Sequence, residues 1–96
     1  MKPSLAVRGK REQILDIAER HGARNVRVFG SVARCEDTGR SDLDLLVDLD
    51  EDRSYWDLGK FIEDLQDASH CKVQAVPSDS LHRLLKDRIL GEAAPL

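Results

Sequence analysis

No stretch of the 96-residue sequence is apolar for long enough to cross a membrane, which takes about 20 consecutive apolar residues. The opening MKPSLAVRGKRE lacks the apolar core of a secretory leader, so a cytoplasmic protein without membrane attachment is expected. Cysteine is scarce. Cys35 and Cys71 have no metal-ligand spacing and suit a reducing compartment in which both stay thiols. The three histidines, His21, His70 and His82, share no spacing either, which argues against a zinc site. A basic excess is also missing, since 15 basic residues face 18 acidic ones. A dedicated nucleic-acid binder usually carries such an excess, so no direct nucleic-acid binding is expected. Internal repeats and low-complexity tracts are absent.

What is present is globular: 41% hydrophobic and 34% charged residues. A chain this short forms one domain, residues 1–96, with a modest core that leaves room for a homo- or hetero-oligomeric partner. Apolar spacing predicts a helix over 10–21, with Ile14, Leu15, Ile17 and Ala18 on one face and Gly22 as its stop. A short strand over 25–29 follows and ends at Gly30-Ser31, where a short helix can open. Residues 35–41 read as loop, and 42–49 as the strongest strand. Leu58, Phe61, Ile62 and Leu65 mark a long helix whose start carries Tyr55 and Trp56, which could be core or partner surface. Residues 72–76 form a third strand. Ser78 and Asp79 then suit the start of a last helix carrying Leu81, Leu84, Leu85 and Ile89. The expected class is α/β (α+β), a small mixed three-stranded sheet packed with helices.

Within SDLDLLVDLD, acids recur at every second position of an otherwise apolar strand. Asp42 and Asp44 must project from one face, about 6.6 Å apart along the strand. Ionised carboxylates that close repel, unless a cation sits between them. Oxygen ligands of this kind suit Mg²⁺, which takes a few carboxylates together with substrate phosphates. Gly30 and Ser31, separated from Asp42 by ten residues, lie at a strand-to-helix junction where free N–H groups favour an anion. Glycine there admits close approach, and the serine hydroxyl adds a hydrogen bond. A phosphate cradle beside a metal-binding acid pair is minimal equipment for handling a nucleoside triphosphate. Asp48 shares the face but stands about 13 Å beyond Asp44, too far to join them. The acids of 48–52 are read as a solvated turn.

Gly30-Ser31, ten residues, then Asp42-x-Asp44, with Phe29 before and Leu45-Leu46-Val47 after, resembles the DNA polymerase β-like nucleotidyltransferase superfamily. The short length looks like its minimal nucleotidyltransferases, antitoxin partners of HEPN-domain toxins. The resemblance covers nearly the whole chain, with VFGSVARCE and SDLDLLVDL as its specific motifs and DRILGEAAPL as a softer match. It implies ATP and Mg²⁺ as ligands and transfer of a nucleotidyl group, often AMP, to the partner toxin. Gly30 and Ser31 would hold the triphosphate, Arg34 would contact a phosphate, and Asp42 and Asp44 would be the catalytic, metal-holding pair.

Two positions depart from that pattern. The family places a third carboxylate on the strand after the long helix, where this chain has Gln74. An amide oxygen can coordinate a hard cation, but it carries no charge and takes no proton. Cys35 stands where the family commonly has glycine, at a cost if the backbone there needs φ > 0. The expected function is therefore a Mg²⁺-dependent protein adenylyltransferase acting on a HEPN-type toxin. Its alternative is a catalytically impaired, nucleotide-binding antitoxin that neutralises its partner by complex formation.

Overall fold

The computed structural model describes residues 2–80 and 83–96. The chain runs α1 (Pro3–Arg20), β1 (Ala23–Phe29), α2 (Gly30–Ala33), β2 (Leu43–Leu49), α3 (Tyr55–Ser69), β3 (Val73–Pro77), α4 (Arg83–Glu92) and β4 (Ala94–Pro95), with a 3₁₀ turn at Ser78–Ser80. Among the described residues the sheet has four strands in the order β3-β2-β1-β4, one more than expected. Strand β1 is antiparallel to both β2 and β4, while β2 and β3 are parallel and joined through α3. The mixed sheet follows from that connection, because a parallel pair requires a crossover element.

The period-two pattern of β2 sorts its two faces. Leu43, Leu45 and Val47 are completely buried and meet Ile14, Ile17 and Ala18 of α1 and Leu58, Phe61 and Leu65 of α3. Asp42, Asp44 and Asp48 share the opposite, partly open face. Leu46 breaks the alternation and is fully buried on the acid face, between Arg27 of β1 and Val76 of β3 in the register.

Several boundaries differ from the expected ones, for local reasons. Helix α1 begins at Pro3, whose missing N–H costs nothing at a first helical position, and it kinks at Lys10. The Lys10 ammonium donates to the Ala68 carbonyl near the end of α3, tying the kink to that helix. Asp37, expected only as a loop residue, is buried and accepts the Ser4 N–H at 2.9 Å, capping α1 from a distant loop. Helix α3 starts with a reciprocal cap between Ser54 and Asp57, so Tyr55 and Trp56 are helical. Both are exposed, which removes them from the core. Ser78 does not cap α4; its hydroxyl donates to Asp48 Oδ1 instead. Leu81 and His82 lie outside the described residues, as do the side chains of Leu84 and Leu85. Among the described residues no helix is long and apolar enough to cross a membrane.

Candidate active site

The acid face of β2 is built by register. Asp44 stands opposite Phe29 of β1 on one side and Gln74 of β3 on the other. Phe29 is the last residue of its strand, and the next residue, Gly30, has φ +73°. That value lies in the left-handed region, where only glycine sits without strain. The chain turns there into α2 and passes directly against the acids: a Cβ on Gly30 would overlap Asp44 Oδ2 and lie 3.2 Å from Asp44 Cγ. Gly30 is thus glycine for two reasons, the backbone angle and the carboxylate beside it. Gly30→Ala combines strain of about 1–2 kcal/mol with a displaced Asp44, and urea unfolding should show a corresponding loss of stability.

Helix α2 is a single turn, too short for a helix dipole to contribute much; what it offers is individual N–H groups and a fixed exit. The exit is a Schellman cap. Glu36 N–H donates to Ser31 O at 2.8 Å and Cys35 N–H to Val32 O at 3.1 Å, with Cys35 at φ +59° in the left-handed position. Glycine normally occupies that position, so the departure noted at Cys35 is a real backbone cost. Cys35→Gly should stabilise the fold by about 0.5–1 kcal/mol in urea unfolding, since it relieves the angle while loosening the unfolded chain.

The electrostatics of the acid pair are unbalanced. Burial pushes the Asp44 carboxyl above the usual carboxylate range, and the neighbouring Asp42 and Glu92 charges add to that push, while Arg34 opposes it. Asp42 accepts a hydrogen bond from Gln74 Nε2 at 3.0 Å. Position 74 therefore lies on the acid face within reach of Asp42, where a carboxylate could join the pair, but the residue present is a neutral donor. Among the described residues no cluster of three or more His, Cys, Asp or Glu side chains could hold a metal ion. Hard carboxylate oxygens and a half-buried acid crowded by two other acids nevertheless suit a divalent cation that takes further oxygen ligands from elsewhere.

Arg34 faces the site but already has partners. Its Nη1 donates to Glu92 Oε1 at 2.6 Å and its Nε to Glu36 Oε2 at 3.3 Å. Those carboxylates hold the guanidinium firmly in its charged form, Glu92 foremost. Glu92 also accepts the Gly30 N–H, through Oε2 at 2.8 Å. Ser31 lies one residue on in the same turn, half-buried. Gly30, Ser31, Arg34, Asp42 and Asp44 thus converge at one end of the β1–β2 pair. Glu92 is the residue sequence reasoning missed; it stands 62 positions from Gly30, and no local pattern signals the contact.

Asp48, on the same strand face, has its carboxylate engaged by other partners. It binds Arg27 Nη2 at 2.9 Å and Asn25 Nδ2 at 3.1 Å, and takes the Ser78 hydroxyl. It is a structural anchor rather than a solvated turn residue, and these bonds, led by Ser78, keep its carboxyl below the usual range.

Residues 10–96 match the nucleotidyltransferase domain family. The chain is 39% identical over 83 residues to a Methanocaldococcus jannaschii protein named "putative protein adenylyltransferase MJ0435", covering 86% of this chain and 89% of the relative. A second protein of that organism, "putative protein adenylyltransferase MJ0126", is 33% identical over 67 residues, 70% of this chain and 68% of the relative. A solved structure described as a "putative minimal nucleotidyltransferase" superposes with a TM-score of 0.87 at 41% identity, over 97% of this chain and 95% of that one. A toxin–antitoxin structure with AMP-PNP shares the fold, with a TM-score of 0.76 at 16% identity over 88% of this chain and 69% of that one.

Proposed function

Because this chain belongs to the nucleotidyltransferase domain family, we propose that it binds ATP with Mg²⁺ and transfers AMP to a hydroxyl of a partner protein, a HEPN-type toxin whose antitoxin it is. The observation that carries this reading is the closeness of Gly30 to Asp44, which puts an anion-binding N–H and the acid pair in one site. The relatives named as protein adenylyltransferases support protein as the acceptor class. A structure of the same fold named for a toxin–antitoxin pair and an ATP analogue supplies the classes of partner and ligand to test.

In this reading the Gly30 N–H, the Ser31 hydroxyl and Arg34 hold the triphosphate, and Asp42 and Asp44 hold Mg²⁺. The bound cation would neutralise charge on the phosphates and compensate the repulsion between the two acids. The acceptor hydroxyl oxygen bonds to the α-phosphorus, the bond from that phosphorus to the β-phosphate oxygen breaks, and pyrophosphate leaves. The hydroxyl proton goes to water, because Gln74 cannot take it. Positioning and charge complementarity would therefore supply most of the acceleration.

The Gln74 donor bond to Asp42 favours a second reading, a nucleotide-binding antitoxin that neutralises its partner by complex formation with little transfer. Incubation with Mg²⁺, ATP labelled on its α-phosphate and the product of the adjacent gene separates the two. Label on that product supports transfer. Nucleotide binding and a stable complex without label support the second reading, and no binding of AMP-PNP contradicts both.

A further inference from the structure

Of the three donors assigned above to the triphosphate, two, the Gly30 N–H and Arg34, are engaged by one carboxylate of the chain itself. Glu92 reaches them through separate oxygens, Oε2 to Gly30 N at 2.8 Å and Oε1 to Arg34 Nη1 at 2.6 Å. A planar acid with both oxygens engaged in charge-assisted bonds fills a site much as a phosphate would. Its side chain is only 19% exposed, although it lies at the end of a helix near the chain terminus. The contact also sets Glu92 near Asp44, an acid beside an acid, and Arg34 is the cation that makes this tolerable.

We propose that Glu92 is an internal competitor of the nucleotide, an autoinhibitory anion that closes the phosphate cradle until the C-terminal segment lifts. This inference rests on the nucleotide-binding reading above. The Gly30 backbone offers a single N–H, which Glu92 already takes, and a phosphate brought to the remaining Arg34 donors would be repelled by the Glu92 carboxylate beside it, so the two anions compete for the cradle.

The segment bearing Glu92 is held lightly enough to move. After α4, the described residues form the two-residue strand β4 on the edge of the sheet, pairing Ala94 with Val28 and Pro95 with Arg27. The Leu96 N–H donates to Val26 O at 3.0 Å, and Arg11 Nε donates to Leu96 O at 2.7 Å. Ala94 and Pro95 are exposed. A two-residue edge strand whose residues are exposed belongs to the less stable part of a fold. Displacing it gives up the packing of partly buried Leu96 against the core, while the pairings of β1 with β2 and of β2 with β3 involve none of its residues.

The competition makes nucleotide affinity depend on a residue that, when nucleotide is bound, touches none of it. Titration of AMP-PNP with Mg²⁺ into the wild type, Glu92→Ala and Glu92→Gln by calorimetry tests this, with thermal unfolding confirming that each variant folds. Glu92→Ala should bind about tenfold tighter than the wild type, the loss of charge-assisted bonds that nucleotide must otherwise break. Glu92→Gln keeps the shape and loses the charge, so it should fall between the two. Detectable binding by Glu92→Ala where the wild type shows none also supports the proposal. Wild-type binding that is unchanged or weakened in both variants overturns the competitor and leaves the nucleotide site standing. Absence of binding in all three overturns the nucleotide site and the competitor with it.

Discussion

Asp42→Asn and Asp44→Asn should each lower nucleotidyl transfer by about a thousandfold or more, and they should differ in what they do to the fold. A bound cation contributes several kcal/mol to stabilising phosphoryl charge, and each 1.36 kcal/mol is worth a factor of ten in rate. In the proposed reading, an amide in place of either carboxylate would weaken the hold on that ion and remove a charge that compensates it. Stability should split the pair. Asp44 has its carboxyl raised by burial and by Asp42, so the folded state binds a proton more readily than the unfolded one. Stability from that source is therefore present at low pH and declines as pH rises through the interval above the unfolded value. At neutral pH without divalent metal, Asp44 is a cost, and Asp44→Asn should melt at a higher temperature than the wild type. Asp42→Asn keeps an oxygen to accept from Gln74 and relieves only the charge-repulsion part of that cost, so its melting temperature should rise less than that of Asp44→Asn. Residual transfer above one part in about a hundred, or a lower melting temperature for Asp44→Asn, contradicts the assignment.

Gln74→Asp should have the opposite effect on rate. The amide nitrogen at position 74 lies 3.0 Å from Asp42, and Gln74 pairs with Asp44 across the parallel ladder, so an acid there can join the same cation. It could also accept the proton of the attacking hydroxyl, and a positioned base contributes about 10²–10⁴-fold. Transfer by Gln74→Asp should exceed wild type by about a hundredfold if Gln74 is what limits the chemistry. The same substitution crowds three carboxylates together. Without metal it should therefore be less stable than wild type at neutral pH, with Mg²⁺ restoring much of the loss. An unchanged rate together with unchanged metal dependence means that position 74 takes no part.

The two predictions rest on features that differ in how readable they were. Alternation of acids with Leu43, Leu45 and Val47 fixed both the β2 core face and the acid face, because side-chain direction in a strand is purely local. The break at Gly30 was equally local, and the structure adds its second reason, the approach of Asp44. The glycine-like demand at Cys35 could be suspected from the resemblance, but the φ value that realises it depends on how α2 ends. Strand β4 escaped notice because two residues, one a proline without an N–H, are too short to show periodicity. The first turns of α1 were hidden by Gly9 and the kink at Lys10, which only tertiary contact with Ala68 explains. Glu92 is the extreme case: its role exists only through a contact spanning 62 residues, made when the end of α4 returns beside α2.

The mass of the partner is the most direct test of the adenylyl-transfer reading. The adjacent gene's product is purified after co-expression with the wild type and, separately, with Asp42→Asn, and the intact masses are compared. The expected result is an increment of one or more AMP units on a hydroxyl side chain with the wild type and an unmodified partner with Asp42→Asn. An unmodified partner in both, bound tightly to the wild type, contradicts transfer and leaves a nucleotide-binding antitoxin.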